Sequence, residues 1–181
     1  MSKLILFEIV TLDGFFADEE GTQEWHKPGK EVDAFALEQM KTAKAMVFGR
    51  KTHEYMATYW PTEKGIQAEP EIAGYMNKLP KIVFSRNGRY TKQWQNSRLA
   101  AQPLKKEIES LKKEYNGNIF VFGSADLVDG LVKENLIDEF RLLVNPEVIV
   151  EGIPLFKSKI SMKLSEIKSF PDNEVLMIYT K

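Results

Sequence analysis

The sequence predicts an α/β domain: a mainly parallel central sheet flanked by crossover helices and closed by an antiparallel C-terminal hairpin. Three observations predict it. Short apolar runs of β-type residues alternate with segments whose apolar residues recur every three or four positions. Several of these runs stop at Gly- or Ser-containing turns, where a parallel strand hands over to a helix. The end of the chain instead reads as two strands, Lys163–Phe170 and Glu174–Thr180, around the turn Pro171-Asp172-Asn173.

The elements follow in order. Leu4–Val10 is the first strand, ended by Asp13-Gly14, and a charged, Gly-bearing loop runs on through Gly29. From Glu31 to Lys44, Val32, Phe35, Ala36, Met40 and Ala43 keep the spacing of an amphipathic helix. Ala45–Phe48 is a strand stopping at Gly49, with a short helix from Thr52 towards Thr58. The stretch 59–78, broken by Pro61, Gly65, Pro70 and Gly74, reads as a loop plus one short helix up to Met76. Lys81–Phe84 is a strand, and the helix Pro103–Tyr115 stops at Asn116-Gly117. On that helix, Lys105, Lys106, Lys112 and Lys113 alternate with Glu107, Glu109 and Glu114 as a solvated face is expected to do. Ile119–Phe122 is the next strand, Gly123-Ser124 leads into a helix carrying Leu127, Val128, Leu131 and Val132, and Glu139–Val144 is a further strand. With 181 residues and no linker, repeat or low-complexity tract, residues 1–181 read as one domain.

Composition removes whole classes of chemistry. There is no Cys, so thiol nucleophiles, thiolate metal sites and disulfides are excluded. Two His residues, His26 and His53, are too few for a His-based metal cage. The 25 Lys and Arg balance 26 Asp and Glu, which argues against nucleic acid as the main partner. The N-terminal apolar run is short and lacks a processing site, so the expectation is a cytoplasmic protein without a membrane segment. Any reactivity must therefore come largely from something bound.

In open α/β sheets, ligands sit beyond the carboxyl ends of the strands. Three such ends share a theme: Gly49-Arg50-Lys51-Thr52, Ser85-Arg86, and Gly123-Ser124-Ala125. Two present cations beside a hydroxyl. The third is a small-residue turn at a helix N-terminus, where free N–H groups favour anions and a phosphate can approach the backbone. Together they suit a dinucleotide carrying an extra phosphate. No G-x-G-x-x-G or Walker fingerprint is present, and Gly123-Ser124 lacks the spacing of a hydrolase nucleophile elbow.

These three corners, in this order, resemble the dihydrofolate reductase-like fold, and more closely the branch containing the reductase domain of bacterial riboflavin biosynthesis. Thr11-Leu12-Asp13-Gly14 resembles that branch's opening motif. Met76-Asn77, Pro80-Lys81, Trp94, Leu136-Ile137-Asp138-Glu139 and Pro154-Leu155-Phe156 look like those of small stand-alone members. The resemblance implies NADPH as hydride donor. It places Arg50, Lys51 and Thr52, behind Gly49, at the pyrophosphate and adenosine phosphate, and Ser85 and Arg86 near the 2′-phosphate. Gly123, Ser124 and Ala125 would cradle the pyrophosphate, and Phe16 and Ala17 would approach the nicotinamide. Ser124 stands where dihydrofolate reductases have the second Gly of a Gly-Gly pair.

Counting back from Gly49 by the family's interval reaches Asp33, the expected catalytic acid; as a plain residue it is also a carboxylate favoured at a helix N-terminus. The acid's hydroxyl partner in the family falls near Leu142, and the family's folate-gripping Arg falls within Leu79-Pro80-Lys81. Folate reduction is therefore expected to be weak or absent, and without Cys no paired zinc deaminase is expected. Glu8, Trp25 and Leu37 are the substrate-side candidates. Glu8 is out of place in an apolar strand unless a partner or ligand meets it. Trp60 and Trp94 read as packing anchors, and Met40, Met46 and Met56 as core filler. The expected function is NADPH-dependent reduction of a small heterocyclic or imine-type substrate, pyrimidine- or pterin-like, as in riboflavin biosynthesis. The alternatives are a non-catalytic NADPH- or metabolite-binding module and a weak dihydrofolate reductase. A homodimer is compatible with the sequence.

Overall fold

The computed structural model describes residues 2–27 and 29–181. Its strands and helices run β1 (Leu4–Thr11), β2 (Phe15–Ala17), α1 (Lys30–Thr42), β3 (Ala43–Gly49), α2 (Arg50–Met56), α3 (Glu63–Ala68), α4 (Pro70–Lys78) and β4 (Lys81–Phe84). The second half continues β5 (Ser97–Leu99), α5 (Leu104–Glu114), β6 (Asn118–Val121), α6 (Ala125–Lys133), β7 (Glu139–Asn145), β8 (Ile153–Pro154), β9 (Lys163–Ser169) and β10 (Val175–Thr180).

Eight strands form one sheet in the order β5-β4-β3-β6-β1-β7-β10-β9. The pairs from β5 through β7 are parallel, whereas β10 runs antiparallel to both β7 and β9. The expected architecture is thus the observed one, including the C-terminal hairpin. β1 lies centrally because it is apolar on both faces. Leu4 and Leu6 join a core with Ile108 and Leu111 of α5 and Val128 and Leu131 of α6. Ile5 and Phe7, half a pleat away, join Met40 of α1 and Met76 of α4 on the other side. The chain leaves β1 towards β3 on one side of it and reaches β7 from β6 on the other. The carboxyl ends of β1, β3 and β6 therefore flank the point where strand order reverses.

Several elements differ from expectation. The first helix stops at Thr42, and Ala43 opens β3 because Ala43 and Ala45 are buried against Asn118 and Ile119 of β6. The stretch 59–78 holds two helices, with Pro70 as the first residue of α4 rather than a breaker. β2 and β8 form a separate antiparallel pair, Phe15 against Pro154 and Ala17 against Ile153. Glu107 does not belong to a solvated face: it is 2% exposed, accepts hydrogen bonds from the N–H groups of Ala101 and Gln102 at 3.0 Å, and pairs with Arg98 at 2.7 Å. It ties the segment entering α5 to the helix's first turn, much as a capping-box carboxylate does.

Lys81 points inward. It is fully buried, and its Nζ donates to the carbonyls of Asn77, Leu79 and Gln95 at 3.3, 2.9 and 3.0 Å while lying 4.6 Å from the Trp94 ring centre. Trp94 is buried, and its Nε1 donates to Asn77 Oδ1 at 2.7 Å, so it is a packing anchor as expected. Among the described residues no helix is long and apolar enough to cross a membrane, and no group of three His, Asp or Glu residues is placed to hold a metal ion.

Candidate active site

Two adjoining cavities open at the carboxyl edge of the sheet. The larger, about 600 Å³, is lined by Phe16 and Ala17 of β2, Lys51, Thr52 and Glu54 of α2, Ser124 with Ala125 and Asp126 of α6, and Lys157, among others. The smaller, about 240 Å³, lies under α1 and α4 and is walled by Phe7, Phe122, Trp60, Met40, Met56 and Met76, with His26, Asp33 and Glu69 also on its wall. Glu8, Gln23 and Met56 line both.

The first turn of α6 is open towards the larger cavity. Ser124 is its N-cap residue, but no side-chain hydrogen bond caps it, so its leading N–H groups remain available. The Gly123–Ser124 peptide is cis. Beneath it, Gly49 N donates to Gly123 O at 2.7 Å, and a Cβ at position 49 would lie 2.4 Å from Ser124 Oγ. Gly123 itself has φ +64°, and a Cβ there would meet Glu8 Oε1 at 3.0 Å and Thr52 Oγ1 at 3.1 Å. Glycine at 49 and 123 is thus what allows β1, β3, α2 and α6 to converge on one floor.

Ion pairs organise the rim. Arg50 holds Glu54 at 2.7 Å, and Lys157 and Arg86 hold Asp126 at 2.5 and 3.4 Å. Burial works against ionising Glu54, yet hydrogen bonds from Thr91 and Arg50 keep its carboxyl below the usual range. The Lys157 hydrogen bond does the same for Asp126. Glu54 and Asp126 are therefore compensated, whereas Glu19 and Glu20, which also line the cavity, form no ion pair among the described residues. Of the two expected cationic corners, Lys51 and Thr52 line the cavity; Arg50, Ser85 and Arg86 do not, Arg50 being paired with Glu54 and Arg86 with Asp126. Ser85 is turned into its own loop, bonded to Asn87 and to the Arg89 carbonyl, each at 2.6 Å.

Glu8 is 7% exposed, its Oε1 has no hydrogen-bond partner, and burial pushes its carboxyl well above the ordinary carboxylate range. In register, Leu142 of β7 stands directly beside it, the position where the family resemblance would put a hydroxyl. Asp33, on α1, lines the smaller cavity; burial raises its pKa against the opposing pull of His26. Glu69 is raised likewise, by burial and then by Asp33. His26 Nε2 lies 2.9 Å from Glu174 Oε1, and burial lowers its pKa despite that carboxylate. His53 is bonded instead to Ser97 Oγ at 2.8 Å. Neither His is bonded to Ser124, so no hydrolase-type pair forms.

The structure does not bring every candidate to the cavities. Trp25 lines neither; its ring packs edge-on to His26, and its Nε1 is buried without a partner. Leu37 lines neither, because Val32, Asp33, Ala36 and Met40 form the face of α1 turned to the cavity and Leu37 lies just beyond its edge. Trp60, Met40 and Met56, read as packing residues, wall the smaller cavity. Glu69 and Lys157 carried no signal, since neither lies in a motif and each reaches the site only through folding.

The sheet order and the cavity at its carboxyl edge define a dihydrofolate reductase-like α/β domain. Within that class, the chain belongs to the RibD C-terminal domain family, whose profile matches residues 2–176. It is 30% identical to the uncharacterized protein YyaP of Bacillus subtilis (strain 168), over 98% of this chain and 94% of that one. A structure from Shewanella sp. PV-4, provisionally named as a riboflavin biosynthesis protein, superposes with a TM-score of 0.78 at 22% identity, covering 98% of both chains. The Thermotoga maritima diaminohydroxyphosphoribosylaminopyrimidine deaminase/5-amino-6-(5-phosphoribosylamino)uracil reductase gives 0.72 at 16% identity, covering 99% of this chain and 56% of that one. Enterococcus faecalis dihydrofolate reductase, complexed with NADP(H), gives 0.61 at 16% identity, covering 98% and 95%.

Proposed function

We propose that this protein is an NADPH-dependent reductase of a small heterocyclic or imine-type substrate. The observation that carries this reading is the pair of cavities meeting at Glu8. One is large, with cations, hydroxyls and an open helix N-terminus; the other is small and largely apolar. The donor set fits a phosphorylated dinucleotide. The first turn of α6 offers N–H groups to a pyrophosphate, glycine at 49 and 123 lets β3 and α6 close together at its floor, and Lys51 and Thr52 add charge and a hydroxyl. In this reading Arg50 and Arg86, beside the rim carboxylates Glu54 and Asp126, serve an adenosine phosphate, and Phe16 and Ala17, on the cavity wall, meet the nicotinamide.

Bound NADPH supplies the hydride. The chain's own residues orient and enclose. Phe7, Phe122, Trp60 and the three Met side chains hold a flat acceptor and exclude water, and Asp33 anchors its polar edge. Glu8, at the junction, offers a carboxyl whose burial favours the protonated form. The family's riboflavin-pathway reductases and the dihydrofolate reductases make pyrimidine- and pterin-like rings the first acceptors to test. The test is loss of nicotinamide absorbance when pterins, pyrimidines and cyclic imines are offered with NADPH; oxidation with at least one of them is the expected result.

A second reading, a binding module without turnover, is favoured by Leu142 beside Glu8 and by the inward-turned Lys81. Stoichiometric NADPH binding with no oxidation across the same compounds would support it.

A further inference from the structure

Glu8, Gln23 and Met56 line both cavities, so they mark where a ligand in one would touch a ligand in the other. Met56 has no strong hydrogen-bonding group in its side chain. Glu8 is 7% exposed, and its Oε1 is shut off from solvent. Gln23 is half-buried, and chemistry sets the orientation of its amide: the Phe16 carbonyl 2.6 Å away can only accept, so the atom facing it is Nε2. Gln23 Oε1 therefore points away from that carbonyl. It has no hydrogen-bond partner among the described residues and keeps accessible surface, so a ligand can reach it.

The backbone on either side holds this side chain in place. Before it, Gly21 at φ +84° closes a turn in which Asp18 O accepts from Gly21 N at 3.1 Å and Asp18 Oδ1 from Thr22 N at 2.7 Å. After it, the Gln23 carbonyl accepts from His26 N at 2.9 Å. A Gln side chain already fixed on the Phe16 carbonyl loses little rotamer freedom when a ligand bonds to its other end. We propose, resting on the reductase reading, that Gln23 is a specificity-determining residue for the cofactor: its Oε1 accepts a hydrogen bond from the carboxamide NH2 group of the nicotinamide. Phe16, which in that reading meets the nicotinamide, has its own carbonyl occupied by Gln23 Nε2. The carboxamide donor therefore finds its acceptor on the far side of the same amide. A dinucleotide with a ketone in place of the carboxamide would set a methyl group against Oε1, leaving a partly desolvated acceptor without a partner.

The test is calorimetric titration of the full chain with three ligands: NADP+, its 3-acetylpyridine analogue, in which a methyl group replaces the carboxamide NH2, and 2′,5′-ADP, which has no nicotinamide. NADP+ is expected to bind about fivefold more tightly than the analogue, the scale of one hydrogen bond to a partly desolvated acceptor. Gln23→Lys keeps a donor for the Phe16 carbonyl but removes the acceptor, and Gln23→Arg does the same with a different shape. Each is expected to bring the two dinucleotides within about twofold of one another while 2′,5′-ADP still binds. Thermal melts show which variants are folded. A wild-type preference under about twofold, a preference undiminished in either folded variant, or loss of 2′,5′-ADP binding along with the preference would overturn the proposal and leave cofactor binding standing. If none of the three ligands binds the wild-type chain at millimolar concentration, the reductase reading itself falls, and the role of Gln23 with it.

Discussion

Gly49 and Ser124 meet so closely that no side chain fits between them: a Cβ at position 49 would lie 2.4 Å from Ser124 Oγ and 2.8 Å from its backbone nitrogen. Because the second of these is backbone, the clash cannot be relieved by a rotamer change. Gly49→Ala is therefore expected to push α6 away from β3, lower the melting temperature, and weaken NADPH binding by tenfold or more. Nicotinamide fluorescence titration beside a thermal melt checks both. Unchanged cofactor affinity in a folded variant would show that the close approach at this floor plays no part in binding.

Lys81 is a structural cation. Replacing it with Met keeps the stem that packs on Trp94 but leaves the carbonyls of Asn77, Leu79 and Gln95 without their donor. Unsatisfied buried acceptors make this cost about 2–4 kcal/mol. Urea unfolding of Lys81→Met measures it, and a change under about 0.5 kcal/mol, the usual scale of surface substitutions, would mean that these bonds contribute little.

His53 gives the fold an acid limit. Burial, and then the nearby Lys81 charge, lower its pKa from 6.5 to about 4. Between those values the unfolded chain binds a proton that the folded chain does not, so stability is lost as pH falls through this window and is fully present above it. The contribution is on the order of 3 kcal/mol at the acid end. Unfolding free energies of wild type and His53→Leu should diverge in slope between pH 6.5 and 4. Parallel curves would count against a buried neutral imidazole.

Under the proposed reductase function, Glu8 is expected to cost stability and serve turnover. An unpartnered carboxyl in the strand that fills the centre of the sheet is costly to bury, and Glu8→Met removes that cost while preserving bulk. The variant should melt at a higher temperature, by about 1–2 kcal/mol of added stability, and lose turnover. A variant that is both less stable and fully active would contradict this.

The sheet was legible because Leu4–Val10, Ala45–Phe48 and Ile119–Phe122 are apolar enough to be buried on both faces, and such runs announce themselves. β2, β5 and β8 were not, being two or three residues long and held only by partners distant in the chain. The three polar corners and the oddity of Glu8 were visible in residue type alone. The inward turn of Lys81 and the burial of Glu107 were not, since charge normally signals exposure and only the surrounding carbonyls and N–H groups reverse that. Asp33 was reached by interval, but Leu37 was misplaced because its helical face can be assigned only once the cavity is known.

NADPH binding in the cavity between α2 and α6 is measured by titrating the cofactor into the full chain and following nicotinamide fluorescence. Saturable binding at one site per chain, weakened at least tenfold in Lys51→Ala, is the expected result. Absence of binding at millimolar cofactor would contradict it.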